Sequence, residues 1–325
     1  MNADIKKTIN LCADIKPNEL IIDTLKWKYL VRNVLRGKNI LIVGPTGCGK
    51  SLAAISVAKA LNKGDRFFYF NLGSTQDARC SLIGNTQYDK NTGTIFNESA
   101  FVSAIRTEGA IILLDEISRA HPDAWNILMT VLDDLQRYLR LDEKSNVEMV
   151  KVAKDVSFIA TANIGNEYTS TRVMDRALLN RFSVKIEMNP LKIEDELKLL
   201  VNRFNITDES MISTLKNVLE ICEHTRDNVK REDSKLTNFL STRASVEMAE
   251  LLVDGFNLEE IAENAIYPNF DNDGGVNSER TYIKQLVQKY INDPKITARN
   301  PFSGKKFDPN NITPTIPTNT QNVPF

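Results

Sequence analysis

Residues 39–51 read Asn-Ile-Leu-Ile-Val-Gly-Pro-Thr-Gly-Cys-Gly-Lys-Ser. Ile40 to Val43 is a short apolar run rich in β-branched side chains, the pattern of a buried strand. The run breaks at Gly44, and beyond Ser51 the residues Leu52, Ile55, Val57, Ala58 and Leu61 recur at helical spacing. Between strand and helix stands Gly44-Pro45-Thr46-Gly47-Cys48-Gly49-Lys50-Ser51-Leu52, which meets the phosphate-loop pattern at every required position. Glycines let the backbone N–H groups of such a loop converge on phosphate oxygens, and the new helix adds the positive end of its dipole. Lys50 then reaches the outer phosphates and the Ser51 hydroxyl holds Mg²⁺. A chance glycine turn does not explain why a strand precedes the pattern and a helix follows it. The stretch implies a nucleotide-binding site.

A second run supports this. Ala110-Ile111-Ile112-Leu113-Leu114-Asp115-Glu116 places two carboxylates at the end of an apolar strand. In an open α/β sheet, ligands sit at the C-terminal ends of the strands. Asp115 is expected to bind Mg²⁺, directly or through water, and Glu116 to orient and deprotonate an attacking water. A third strand, Val156 to Thr161, ends at Ala162-Asn163. Asn163 there could contact the γ-phosphate or the water, or could simply cap the strand.

Composition excludes several classes. The 325 residues carry a formal net charge of −1, with 42% hydrophobic and 26% charged residues. That is an ordinary globular balance with no global pull toward nucleic acid or an acidic membrane. The length allows about two domains. No stretch approaches the roughly 18 apolar residues of a membrane span, and the N-terminus lacks a signal-peptide core, so cytoplasm is the expected location. Cys12, Cys48, Cys80 and Cys222 are scattered without a Cys-x-x-Cys pair and read as free thiols. His121 and His224 have no ligand spacing and read as non-catalytic.

Along the chain, residues 1–18 are polar and show no element. Apolar residues from Leu20 to Leu35 suggest a helix from about Asn18. Arg66 to Asn71 reads as an aromatic strand. Tyr88 to Phe96 reads as a hairpin turning near Asn91 to Gly93, and a helix is expected over about Glu98 to Thr107. Trp125 to Leu135 is helical in spacing, and Tyr138–Leu141 with Val147–Val152 forms a second hairpin. Val184 to Met188 is a fifth strand. Five amphipathic helices then follow, over 194–204, 209–228, 243–254, 258–267 and 279–292. From Thr297 the composition turns to Asn, Pro and Thr, and a mobile or neighbour-docking tail is expected. The expected fold is α/β: a three-layer αβα P-loop core on a parallel sheet over residues 1–190, a smaller all-helical lid over 191–296, and the tail over 297–325.

The order of these motifs resembles the AAA+ ATPases over about residues 20–290. Asp115-Glu116-Ile117-Ser118-Arg119-Ala120 is similar to the Asp-Glu-Ile-Asn-Arg-Ala of the MoxR-like, dynein-related branch. Ser81-Leu82-Ile83-Gly84 with the following hairpin resembles that branch's insert in helix two. Ser241-Thr242-Arg243 before a helix is similar to the motors that activate RuBisCO and nitric oxide reductase, to the cobaltochelatase motor and to gas-vesicle ATPases. The resemblance implies ATP and Mg²⁺ as ligands, Asn163 as first sensor and Arg243 as second sensor. It also implies that Arg181, in Ala-Leu-Leu-Asn-Arg-Phe, is an arginine finger acting on a neighbour in a homo-hexamer. On the residues alone, a surface ion pair is the better reading of Arg181, and Arg176 competes for the finger role. The implied work is remodelling or activation of a client or adaptor protein, of von Willebrand type in some relatives. A nucleic-acid-translocating or restriction motor is the alternative, which the near-neutral charge does not favour. A small-molecule kinase would leave Glu116, Asn163 and Arg181 unexplained.

Overall fold

The computed structural model describes residues 2–12, 14–74, 77–90, 93–144, 146–163, 174–231 and 233–291. At its centre, β1 (Ile40–Val43) lies between β8 (Ser157–Ala162) and β9 (Val184–Glu187). The sheet continues through β5 (Ile111–Asp115) to β2 (Phe67–Asn71), giving five strands in the order β2-β5-β8-β1-β9, all paired in parallel. β5 and β8 are buried at every position, as strands covered on both faces must be.

The register aligns the functional strand ends. Val43 pairs with Ala162, and Leu114 pairs with Ala160. Asp115 therefore lies level with Thr161, and the phosphate loop leaves β1 beside Asn163.

One sheet face packs on α2 (Thr24–Leu35) and α3 (Lys50–Ala60), with Trp27, Leu30, Val57 and Ile42 fully buried. The other face packs on α4 (Ala78–Leu82), α5 (Ala100–Arg106) and α6 (Pro122–Val131). There Phe101 meets Phe70 edge to face at 5.3 Å. Two hairpins sit on this side: β3 (Gly84–Asp89) with β4 (Gly93–Glu98), and β6 (Tyr138–Leu141) with β7 (Glu148–Lys151). The first lies between α4 and α5 in the chain. α7 (Arg176–Asn180) leads into β9.

From Ile193 the chain is helical and has its own core. α8 (Ile193–Phe204), α9 (Glu209–Val229), α10 (Thr242–Val253), α11 (Leu258–Ile261) and α12 (Glu279–Ile291) bury Leu200, Leu219, Met248, Ile261 and Ile283 together. All four cysteines are free.

Four expectations need correction. The helix expected over Trp125–Leu135 runs from Pro122 to Val131, because the Asp133 carboxylate takes the N–H groups of Leu135 and Gln136 and turns the chain there. The first long helix starts at Thr24, not Asn18, because the Asp23 carboxylate accepts the N–H groups of Leu25 and Lys26 and caps it there. Leu20 and Ile22 are buried in the lead-in segment and only mimic helical spacing. A helix over Asn2–Asn10, α1, was not foreseen, since its polar sequence holds little besides Ile5 to bury. The helix expected over 258–267 widens into a π-turn at Ala262–Ile266 and tightens into a 3₁₀ turn at Tyr267–Asn269. Pro268 lacks the N–H that a continuing helix needs there. The first hairpin's turn at Asn91 and the tail from Thr297 lie outside the described residues.

Candidate active site

The strand ends and the start of α10 enclose a cleft of about 430 Å³. Thr46 to Leu52, Asp115, Glu116, Thr161 and Asn163 line it from the sheet side, and Thr242, Arg243 and Val246 from the helical side. Gly44 and Pro45, also expected at the phosphates, contribute through their carbonyls. The Lys50 ammonium donates to Gly44 O at 2.9 Å and Pro45 O at 2.7 Å. Burial pushes Lys50 below the ordinary lysine range, opposed in part by Asp115 and Glu116. A desolvated cation resting on two carbonyls, under a loop with left-handed glycines at 47 and 49, fits an anionic polyphosphate.

The second half of the site is a cluster of hydroxyls on one carboxylate. Ser51 Oγ donates to Asp115 Oδ1 and Oδ2 at 2.9 and 3.0 Å. Tyr69 donates to Oδ2 at 3.1 Å, and Thr161 Oγ1 donates to Oδ1. Ser51 and Asp115 thus present adjacent hard oxygens, a donor set that fits Mg²⁺.

Glu116 follows with φ of 55°, a left-handed conformation that costs a non-glycine residue about 1 kcal/mol or more. Its N–H donates to Thr161 Oγ1 at 3.0 Å, and its Oε2 lies 3.6 Å from Arg119 Nη1. Asn163 is buried, its N–H donating to Ser118 Oγ at 3.3 Å. Asn163 is among the residues that line the cleft.

The helical side reaches the phosphate loop at Gly47. A Cβ there would fall 2.7 Å from Ser241 Cβ, so only glycine lets the start of α10 come this close. That start is held from inside the lid. Arg226 on α9 pairs with Glu196 on α8 through two nitrogens at 2.7 and 3.0 Å, and its Nε donates to Leu240 O at 2.8 Å. Ser245 on α10 donates to the same Glu196 carboxylate.

The sequence pattern of the AAA domain (dynein-related subfamily) matches residues 39–182. BssE of Thauera aromatica, a candidate chaperone, is 31% identical over 223 residues, covering 68% of this chain and 72% of that one. The chain belongs to the AAA ATPases, in the dynein-related subfamily. An uncharacterised protein of Staphylococcus saprophyticus is 28% identical over 218 residues, 66% of this chain and 78% of that one. The chaperone ClpB of Mycoplasmoides gallisepticum is 25% identical over 261 residues, 78% of this chain but 31% of that one.

Within this AAA ATPase the candidate residues fall into two groups. Lys50, Ser51, Asp115, Glu116, Asn163 and Arg243 share one cleft. Arg181 does not line it, and neither does Arg176. Arg181 follows α7, where its guanidinium pairs with Asp133 at 2.7 Å and its backbone carbonyl accepts the Asn39 amide at 2.9 Å. Its Nε is buried with no partner among the described residues. Several cleft contributors escaped the sequence reading, among them Thr161, Ile21, Leu199 and Arg203. Thr161 sits inside an apolar strand and gives no motif signal. Ile21, Leu199 and Arg203 line the cleft only because the lead-in segment and α8 fold over it. A larger hollow of about 630 Å³, lined by Lys63, Arg66, Glu108 and Asp155, opens at the opposite edge of the sheet, where the strands begin. No described helix is long and apolar enough to cross a membrane.

Proposed function

We propose that this AAA ATPase is a MoxR-like motor of the cytoplasm, which forms a homo-hexameric ring and uses Mg²⁺-dependent ATP hydrolysis to remodel or activate a partner protein. A client or adaptor of von Willebrand type suits the branch it resembles. The observation that carries this reading is the seating of Ser241 against Gly47, with Arg243 in the same cleft as Lys50 and Glu116. A lid that rests on the phosphate loop moves when the phosphates change.

Lys50 holds the β- and γ-phosphates once ATP replaces its carbonyl partners. Ser51 and Asp115 would hold Mg²⁺, which supplies charge neutralisation at the phosphate oxygens. Glu116 accepts a proton from water as its oxygen forms a bond to the γ-phosphorus. The bond to the ADP oxygen breaks, and ADP and phosphate leave. Asn163 orients that water or the γ-phosphate, and Arg243 reports the γ-phosphate to the lid. Arg181, held away from its own cleft, serves the neighbour's nucleotide and raises the rate by roughly 10³-fold.

The test is complementation. Arg181→Ala binds ATP and hydrolyses poorly, and Lys50→Ala is inactive for want of nucleotide. Their mixture regains activity because some interfaces pair an intact finger with an intact phosphate loop. A mixture that stays dead although mixed rings form removes Arg181 from the neighbour's site.

A further inference from the structure

Asn39 stands just before β1 and is buried, with 2% of its surface exposed. A buried amide needs partners for two donors and an oxygen, and this one has them all. Its Nδ2 donates to Leu132 O at 2.7 Å and to Arg181 O at 2.9 Å. Its Oδ1 accepts from Arg137 Nη2 at 3.4 Å. Carbonyls only accept and a guanidinium only donates, so the amide has a single workable orientation. Arg137 is itself held in place. It donates to Gly37 O at 3.3 Å and to Val156 O at 3.0 Å, and lies over the Phe158 ring, 5.4 Å from its centroid.

The two carbonyls belong to segments that meet again through their side chains. Leu132 precedes Asp133, whose carboxylate pairs with Arg181 Nη1 at 2.7 Å. One NH2 group thus grips both backbones from which that pair extends, 93 and 142 positions away in the chain. The ion pair is the weaker hold. Arg181 is 40% exposed along its side chain, and exposed ion pairs contribute little. The Asp133 carboxyl lies below the usual range chiefly through the N–H groups of Leu135 and Gln136, with Arg181 the smallest cause. Arg181 Nε is buried without a partner among the described residues. The base of Arg181 is therefore fixed by a buried hydrogen bond, and its head by a contact that can be exchanged.

We propose that Asn39 is a positioning residue for Arg181: locked by Arg137, its amide fixes the backbone from which the guanidinium swings off Asp133 to a neighbouring subunit's phosphate. A side chain aimed from a displaced backbone misses its target, and a misplacement of about 1 Å can cost roughly 10²-fold in rate. The inference rests on the assignment of Arg181 to a neighbour's nucleotide and adds what aims it. Asn39 also adjoins β1, which feeds its own subunit's phosphate loop, and a purely structural amide would damage that site instead.

The experiment replaces Asn39 by Ala and, in a second variant, Arg137 by Lys, which keeps the cation but not the guanidinium fork. Thermal unfolding and binding of a fluorescent ATP analogue are measured on dilute protein, kcat and KM on assembled protein. Asn39→Ala is expected to bind nucleotide within a few-fold of the parent, while kcat falls about tenfold or more at unchanged KM. Each variant is then mixed with tagged Lys50→Ala, whose Asn39 and Arg181 are intact. Such a neighbour supplies a well-aimed Arg181 to the variant's phosphate loop. Turnover per Asn39→Ala subunit therefore rises several-fold in the co-purified mixed rings, whereas the parent's turnover does not rise. Arg137→Lys gives the same pattern with a smaller loss, and decides the matter if Asn39→Ala does not fold. An unchanged kcat overturns the inference. So does turnover that stays low in mixed rings while the Arg181→Ala and Lys50→Ala mixture is active, since the damage then lies in the subunit's own site. If the Arg181→Ala mixture is dead as well, the assignment of Arg181 falls and the inference falls with it.

Discussion

The hydroxyl of Thr161 donates to the Asp115 carboxylate and accepts the N–H of Glu116. One side chain on β8 thus ties both acidic residues at the end of β5, including the strained one. Thr161→Val keeps the shape and removes the bridge. We expect kcat to fall about tenfold or more with little change in KM, because a hydrogen bond that positions a catalytic group is worth about 1–3 kcal/mol. Thr161→Ser retains the bridge and stays within a few-fold of the parent. Equal loss in Ser and Val variants would point to packing of the methyl group instead.

Substitutions at Glu116 and Lys50 are expected to separate chemistry from binding. Glu116→Gln is expected to bind ATP and Mg²⁺ but lose turnover by roughly 10²-fold or more, the contribution of a general base. Lys50→Ala loses nucleotide binding itself, which equilibrium titration with a fluorescent ATP analogue reads directly. Undiminished hydrolysis by the Gln variant removes Glu116 from the mechanism.

Gly47 meets the lid at Ser241, and its φ is 78°. Gly47→Ala is expected to weaken ATP binding about tenfold or more, since the new methyl displaces the start of α10 and the left-handed backbone adds strain. Adding Ser241→Gly removes the clashing Cβ and recovers part of the affinity, leaving only the backbone cost. No recovery in the double variant means that the lid contact is not what Gly47 serves.

The two aromatics of the first hairpin differ. Tyr88 is 77% exposed, whereas Phe96 is partly buried and packs against the sheet-side core. Phe96→Ala should lower stability by about 2 kcal/mol, seen as a drop in thermal midpoint. Tyr88→Ala should leave the midpoint and the basal ATPase unchanged and abolish stimulation by a partner protein. Unchanged stimulation would take Tyr88 out of partner contact.

Glu196 and Arg226 form a buried pair that supports Ser245 and the segment bearing Arg243. Arg226→Met alone leaves a buried carboxylate unpaired and should cost about 3–5 kcal/mol in denaturant unfolding. Glu196→Leu with Arg226→Met should recover most of that stability. ATP affinity should stay low in the double variant, because the start of α10 has lost its ties.

Much of this protein was legible before folding. The phosphate loop, the Asp115-Glu116 strand end and Asn163 each combine an apolar run with a polar terminus, a local signal set by strand burial and the needs of phosphate. The core strands were legible as apolar runs and the amphipathic helices from residue periodicity, while the parallel arrangement was what the phosphate-loop pattern and the resemblance implied. What the tertiary structure alone decided was which distant residues meet. Thr161 meets Asp115 and Glu116 only because β5 and β8 pair in one register, and Gly47 meets Ser241 because the lid folds back onto the loop. Asn39, a polar residue before a strand in the sequence, reaches Leu132 and Arg181 only because the turn after α6 and the end of α7 pack beside the start of β1. Periodicity encodes which face of an element is buried; it carries no information on which element covers it, since that is settled by packing across the whole chain.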